Sequence, residues 1–235
     1  MMMQKDSVLV SIIIPVFNEE FTVGNVIERV MVVAEKCNFL HEIIVVDDCS
    51  TDGSLEILKS KKVKVYRLKR HMGKGYALRA GLKRARGNII VMMDSDGSHQ
   101  PEDLPKMLNQ VSEDKADLVI GSRFMRSESL FAKKINRVGV QLFNFLIKIL
   151  TGKAVTDSQS GYRVMKSSIL RDMDLKSNGY EIESEMLIKA IKKGCRIKEV
   201  PIKFEQRTYG KSKLDPLKDG AKILISTLLA YVGVW

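Results

Sequence analysis

Three apolar runs in the first hundred residues each stop at a polar, acid-bearing cluster, and that repetition restricts the fold more than any other feature of the chain. Residues 8–15 (VLVSIIIP) lead to Asn18-Glu19-Glu20, residues 42–48 (EIIVVDD) end in Asp47 and Asp48, and residues 89–93 (IIVMM) run into Asp94-Ser95-Asp96. Each run has the length and bulk of a buried strand, with a turn signal behind it. Helix-type segments lie at 21–36, 75–86 and 101–112, and Thr51-Asp52-Gly53-Ser54 opens another with good N-cap chemistry. Shorter strands are expected at 63–68 and 118–121. This alternation predicts an α/β fold: a single doubly wound, mostly parallel sheet flanked by helices, with right-handed crossovers. The three acidic ends then share the carboxyl edge of the sheet, where ligands bind.

The chain is 235 residues long and 45% hydrophobic, enough for the core of one domain. Thirty-nine basic residues against 28 acidic ones leave a net charge of +11, which suits an anionic partner: a nucleotide, a phospholipid surface or a nucleic acid. Three cysteines (Cys37, Cys49, Cys195) form no CxxC or Cys/His pattern, which predicts a reducing compartment and no zinc site. The first residues are too few and too polar for a signal peptide, and no run reaches the roughly 18 apolar residues of a membrane span. Residues 216–235 combine Lys218 and Lys222 with apolar residues and end in Tyr231 and Trp235. That composition fits an amphipathic helix lying in a membrane interface, and equally a helix packed on the sheet. The expected organisation is a catalytic domain over 1–214 and a C-terminal helix over 215–235.

Two carboxylates one residue apart at a strand end, Asp94 and Asp96, can share one hard divalent cation, Mg²⁺ or Mn²⁺, whose other positions go to water and phosphate oxygens. No GxGxxG follows the first strand and there is no Walker A sequence, so a diphosphate here is expected to be held through a metal rather than by a helix N-terminus. Taken singly, these clusters also have plainer readings. Asn18-Glu19-Glu20 suits a helix start, Asp47-Asp48 a turn and N-cap, and Asp94-Ser95-Asp96 a turn and helix cap. Arg123 and Arg137 read alone as surface arginines, and His71 and His99 have no triad partner by spacing.

Read in order, PVFNEE at 15–20, VVDDCSTDGS at 45–54, MGKGYALRAG at 72–81 and MDSDGSHQPEDL at 93–104 resemble the family 2 glycosyltransferases with the GT-A fold. GSRF at 121–124, KKINRVGVQLFN at 133–144, TDSQSGYRVM at 156–165, GYEIESEML at 179–187 and KEVPIKFEQRTYGKSKL at 198–214 resemble the polyprenyl-phosphate glycosyl synthases, dolichol-phosphate mannose synthase above all. The resemblance implies that Pro15, Phe17, Glu19 and one or both of Asp47 and Asp48 frame the base and ribose of a nucleotide sugar. It implies that Asp94 and Asp96, with Ser95 between them, bind metal and diphosphate, with Ser98 beside the ion. Arg123, Arg137 and Gln141 then face the phosphate of a dolichyl or polyprenyl acceptor, and Glu185 lies near the sugar. Residues 207–213, with Arg207, Lys211 and Lys213, form a loop that closes on the donor phosphates. Three positions depart from the pattern: Ser98 stands where glutamine is frequent, His71 where asparagine is common, and Gln141 where a small hydroxyl residue is usual.

The chemistry fits these residues. A sugar leaving a nucleoside diphosphate needs its developing negative charge met by a cation and by Lys or Arg. A lipid monophosphate acceptor is already anionic at neutral pH and needs no general base, only positive charge to hold it, best supplied by arginine. Lys133, Lys134, Arg137 and Lys148 stand among apolar residues over 131–153, which suits a phosphate head with an isoprenoid tail. Direct displacement inverts the anomeric centre. The expected activity is therefore metal-dependent transfer from GDP-mannose to dolichyl or polyprenyl phosphate, with UDP-glucose and UDP-N-acetylglucosamine as alternative donors. The expected location is the cytosolic face of a membrane, anchored by the C-terminal helix or by a small membrane subunit. A saccharide hydroxyl acceptor, a nucleotidyltransferase and a basic nucleic-acid-binding module are the competing classes, and the acid-lined strand ends argue against the last.

Overall fold

The computed structural model describes residues 8–125, 137–207, 209–210 and 213–234. Lys133, Lys134, Lys211 and Trp235, singled out above, lie outside the described residues. Among the described residues seven strands form one sheet: β1 (Val10–Val16), β2 (His41–Asp47), β3 (Lys64–Arg67), β4 (Ile89–Met92), β5 (Leu118–Ser122), β6 (Arg163–Lys166) and β7 (Ile197–Pro201). Their order is β3-β2-β1-β4-β6-β5-β7. Only β6 runs against its neighbours β4 and β5, and every other pairing is parallel. The mostly parallel α/β sheet is as expected, while β6 and β7 carry no strong alternation and are absent from the sequence reading.

Among the described residues eight α-helices accompany the sheet: α1 (Val23–Lys36), α2 (Ser54–Lys59), α3 (Lys74–Leu82), α4 (Leu104–Ser112), α5 (Arg137–Thr151), α6 (Ser167–Arg171), α7 (Ile182–Lys192) and α8 (Pro216–Val232). All seven residues of β1 are buried because both faces are covered, which is why that run reads as continuously apolar. Ile12 and Ile14 enter the core beneath α1 and α4, and Ile13 enters the other core with Ala77, Leu78 and residues of α7. Each such side chain contributes about 1.5–3 kcal/mol of burial.

The chain winds outward from β1 through β2 to β3, then returns to the other side of β1 with β4. The crevice at that change of direction lies above the carboxyl ends of β1 and β4, where a doubly wound sheet takes its ligand. The sequence places Asn18-Glu19-Glu20 and Asp94-Ser95-Asp96 on either side of it.

Candidate active site

A cavity of about 920 Å³ opens at this crevice. Its floor comes from β1 and β4 and the loops behind them: Pro15, Phe17, Glu19, Asp94, Ser95 and Asp96. The two loops are tied together by Ser95, whose hydroxyl donates to the Pro15 carbonyl at 2.9 Å, while its own carbonyl accepts from Thr22 Oγ1 at 2.9 Å.

The two acids behind β4 are held by different cations. Asp94 Oδ1 lies 2.6 Å from Lys74 Nζ, and the same ammonium lies 2.8 Å from Glu183 Oε1. Burial works against the Lys74 charge, but Asp94 and Glu183 overcome it and raise its pKa well above the usual lysine value. Gly161 makes room for this trio: a Cβ there would meet Lys74 Nζ at 2.6 Å and Asp94 Oδ2 at 2.8 Å. Asp96 accepts the Ser98 hydroxyl at 2.6 Å and its backbone N–H at 3.0 Å through Oδ1, and faces Arg207 Nη2 at 2.9 Å through Oδ2. Burial opposes ionisation of Asp96 too, yet the Ser98 hydroxyl and N–H and the Arg207 guanidinium prevail and hold it below the usual carboxylate range.

The other strand ends supply a recess lined by Phe17, Asp48 and His71. Phe17 stacks on His71 with ring centroids 4.0 Å apart, and the Lys213 ammonium stands 5.2 Å from the Phe17 centroid. Asp48 accepts the backbone N–H groups of Met72 and Gly73 at 2.7 Å each, and pairs with His71 Nδ1 at 2.8 Å. Gly73 is required here: its φ is +97°, and a Cβ would meet the Asn178 carbonyl oxygen at 2.5 Å. Glu19 receives Lys213 at 2.9 Å and Arg207 at 3.2 Å.

Arg123, also in the lining, makes a two-point pair with Asp157, Nε to Oδ2 and Nη2 to Oδ1, both at 2.7 Å. Phe124 carries a guanidinium on each side of this corner, Arg123 at 5.5 Å and Arg137 at 5.9 Å from its ring centroid.

Several expected residues stand elsewhere. Asp47 is fully buried and does not line the cavity; it accepts the Ser50 N–H and pairs with Arg67 at 3.3 Å, leaving Asp48 as the acid that faces the recess. Glu185 is also fully buried away from the cavity, its carboxylate taken by the Lys176 and Ser177 N–H groups and by Lys189 at 2.6 Å. Two residues earlier on α7, Glu183 holds the cavity position expected of Glu185. Arg137 and Gln141 are exposed on α5 and do not line the cavity. Ser98 lines it, with its hydroxyl spent on Asp96.

Among the described residues no three His, Cys, Asp or Glu side chains are gathered to hold an ion unaided. Asp94 and Asp96 nevertheless fit a hard divalent ion that takes its remaining ligands from water and a bound diphosphate. His99 adds an orphaned group: it is 2% exposed, neither ring nitrogen has a hydrogen-bond partner among the described residues, and Nδ1 lies 3.7 Å from Asp94 Oδ2.

Residues 11–174 match the family described as Glycosyl transferase family 2. The chain belongs to that family. This glycosyltransferase is 36% identical over 231 residues to an uncharacterized protein of Methanocaldococcus jannaschii, covering 96% of this chain and 92% of that one. It is 32% identical to the UDP-N-acetylglucosamine–dolichyl-phosphate N-acetylglucosaminyltransferase of Methanococcus voltae, covering 96% and 97%. It is 31% identical to glycosyltransferase AglJ of Haloferax volcanii, covering 92% and 70%. Its fold is that of glucosyl-3-phosphoglycerate synthase from Mycobacterium tuberculosis, with a TM-score of 0.74 at 24% identity, covering 97% of this chain and 81% of that one. The synthase has also been crystallised with Mn²⁺ and UDP.

Sequence reasoning missed Lys74 and Glu183, which line the cavity, and Asp157, which anchors Arg123. Lys74 stands within a quoted motif, just behind the glycine that starts α3, and its partners Asp94 and Glu183 are 20 and 109 positions away, so spacing gives no hint of the trio.

Proposed function

We propose that this glycosyltransferase moves a hexose from a nucleoside diphosphate sugar to a polyprenyl or dolichyl monophosphate, with inversion at the anomeric carbon. The observation that carries this reading is the cavity itself, whose lining joins the paired acids Asp94 and Asp96, the cations Lys74, Arg123, Arg207 and Lys213, and the α5 residues Gly139, Val140 and Phe143. The expected donor was GDP-mannose. The Methanococcus voltae relative, named for UDP-N-acetylglucosamine and dolichyl phosphate, ranks that donor ahead of it.

In this reading Phe17, Asp48 and His71 take the nucleoside, and Glu19 is released to it when Arg207 and Lys213 turn to the diphosphate. Asp94 and Asp96 hold a divalent cation, Mg²⁺ or Mn²⁺, which supplies charge neutralisation to the leaving diphosphate; the Mn²⁺ in the fold neighbour is consistent with that. Lys74 keeps the Asp94 carboxylate in place, and Glu183 faces the sugar. Arg123, with Arg137 approaching from α5, holds the acceptor phosphate. A phosphate oxygen attacks C1 as the C1–O bond to the diphosphate breaks, so the nucleoside diphosphate leaves with the electron pair. No proton need be removed from the nucleophile.

We further propose that the enzyme works as a peripheral protein on the cytosolic face of a membrane. Among the described residues no helix is long and apolar enough to cross one. Val138, Leu142, Phe145 and Ile149 recur on one face of α5, each more than 60% exposed, and Leu217, Ile225 and Val232 of α8 are exposed as well. Apolar faces of this kind lie in a headgroup region. Residues 215–235 extend the 1–214 catalytic unit to the membrane, while the inner face of α8, with Ile223, Ser226, Thr227 and Ala230 buried, packs back on α7. The test is transfer of sugar to polyprenyl phosphate in liposomes.

A further inference from the structure

Asp48 stands in the recess, yet its carboxylate has little left to offer a ligand. Its side chain is 3% exposed, and three ring or backbone nitrogens already reach it. Met72 N–H donates to Oδ1 and Gly73 N–H to Oδ2, both at 2.7 Å, and His71 Nδ1 lies 2.8 Å from Oδ2. An ionised carboxylate has room for about four such bonds. His71 is placed the opposite way. Its side chain is 54% exposed, it lines the cavity, and its ring lies on Phe17 with 24° between the planes. It is also one of the three positions at which the chain departs from the synthases it resembles.

The bond to Asp48 decides which ring nitrogen is left for a ligand. It selects the tautomer in which Nδ1 carries the proton, so the neutral ring presents a lone pair at Nε2. Among the described residues no hydrogen bond reaches Nε2. The Phe17 stack and the Asp48 bond hold the ring at two points, the support that a reading group needs. Asp48 is in turn tied to β1, its backbone N–H donating to the Val16 carbonyl at 2.8 Å. The imidazole is thus fixed to the ends of the two strands that form the recess.

We propose that His71 selects the nucleobase of the donor, its Nε2 accepting the ring N–H of uracil (N3–H) or guanine (N1–H). Cytosine N3 and adenine N1 are themselves acceptors, so either base would set two lone pairs against each other at this atom. The exclusion is a repulsive one, which discriminates where shape does not. Asp48 acts through His71 as a positioning residue, holding the tautomer that makes Nε2 an acceptor. The inference rests on the nucleotide-sugar reading and names the residue that restricts the base.

The test is calorimetric binding of UDP, GDP, CDP and ADP with Mn²⁺ to the full-length protein, at about pH 8.5, above the ordinary range for histidine. Wild type should hold UDP or GDP at least about tenfold tighter than CDP and ADP, as a site built around one hydrogen bond rejects the analogue that cannot make it. His71→Phe keeps a ring on Phe17 and removes both nitrogens. It should shrink that preference to less than about threefold, the hydrogen bond and the repulsion being lost together. A merely structural His71 would weaken all four nucleotides alike and leave the ratio unchanged. A second readout needs no variant. In protein labelled with ¹⁵N-histidine, which has three histidines, the His71 Nε2 resonance should move with the preferred nucleotide and stay in place with CDP. An Nε2 resonance that does not move, a ratio unchanged in His71→Phe, or a wild type that holds CDP or ADP as tightly as UDP and GDP overturns the selector alone. A wild type that binds none of the four overturns the nucleotide-sugar reading and the selector with it.

Discussion

The Arg207 guanidinium lies 2.9 Å from Asp96 Oδ2 and 3.2 Å from Glu19 Oε1, so one cation from the chain's last thirty residues closes two of the three acidic strand ends. It sits on a carboxylate proposed to hold the divalent ion. In the proposed reading a metal and Arg207 would compete for Asp96, and a bound diphosphate would draw the guanidinium onto its own oxygens. Arg207→Ala should bind Mn²⁺ more tightly than wild type without nucleotide, by titration of free Mn²⁺ in electron paramagnetic resonance. Its turnover should fall by on the order of 10²-fold, because a charge on the leaving group is lost. Weaker Mn²⁺ binding in that variant would remove the competition.

Glu183 and Glu185 are two residues apart on α7 with opposite roles. Glu185 is buried, accepts two backbone N–H groups and pairs with Lys189, so Glu185→Gln should cost stability, about 3 kcal/mol in urea unfolding, as expected for one half of a buried pair. Glu183 has only Lys74 as a close partner among the described residues and borders the cavity. Glu183→Gln leaves Lys74 paired with Asp94, so it should cost clearly less stability than Glu185→Gln and lose turnover or donor-sugar selectivity. The reverse pattern would restore Glu185 as the sugar-facing residue.

Acid sensitivity should come in part from Glu42, far from the site. Burial works against its charge, but Lys64, the Arg86 N–H and the Ser11 hydroxyl prevail and hold its pKa at about 2 rather than the ordinary 4.5. A carboxylate depressed on folding stabilises the native state above its ordinary pKa and loses that contribution as pH falls from 4.5 towards 2. Glu42→Gln should lower stability at neutral pH by on the order of 2–3 kcal/mol and flatten the acid limb of the stability curve. An acid limb as steep as that of wild type would exclude Glu42 as its source.

Arg137 is exposed beside Phe124 while Arg123 is anchored on Asp157. Arg137→Ala should raise the KM for acceptor by about tenfold or more, the loss of one charge-assisted contact, with nucleotide affinity unchanged in calorimetry. A large loss of donor affinity would move Arg137 to the donor side.

The exposed stripe of α5 gives the membrane proposal a direct check. Leu142→Asp with Phe145→Asp should abolish cosedimentation with vesicles containing anionic lipid and leave nucleotide binding intact. Cosedimentation unchanged by the double substitution would place the docking surface elsewhere.

What could be read before the coordinates follows from where the physics is local. The runs ending at Asp48 and Asp94 are buried on both faces, so hydrophobic length alone gave the strands, and alternation with helices gave the parallel sheet. The reversed strand β6 is four residues long and includes Arg163, which is buried and bonds the carbonyls of Ser158, Ser160 and Glu183. A buried arginine in a strand defeats a polarity pattern. Asp94 and Asp96 were legible because two acids at one strand end are a local signal. The choice between Asp47 and Asp48, or Glu183 and Glu185, was not, since adjacent strand residues and near neighbours on a helix differ only in direction. The Lys74 trio depends on contacts across the whole chain.

The central claim is transfer to a lipid phosphate from a metal-bound nucleotide sugar. The most direct measurement is sugar transfer to long-chain polyprenyl phosphate in liposomes with Mn²⁺, with UDP-N-acetylglucosamine, UDP-glucose and GDP-mannose offered in parallel. One donor should give a lipid-linked monophosphosugar of inverted configuration, with product lost on EDTA and in Asp96→Ala. Metal-dependent nucleotide binding without any lipid product, or transfer that survives EDTA, would contradict it.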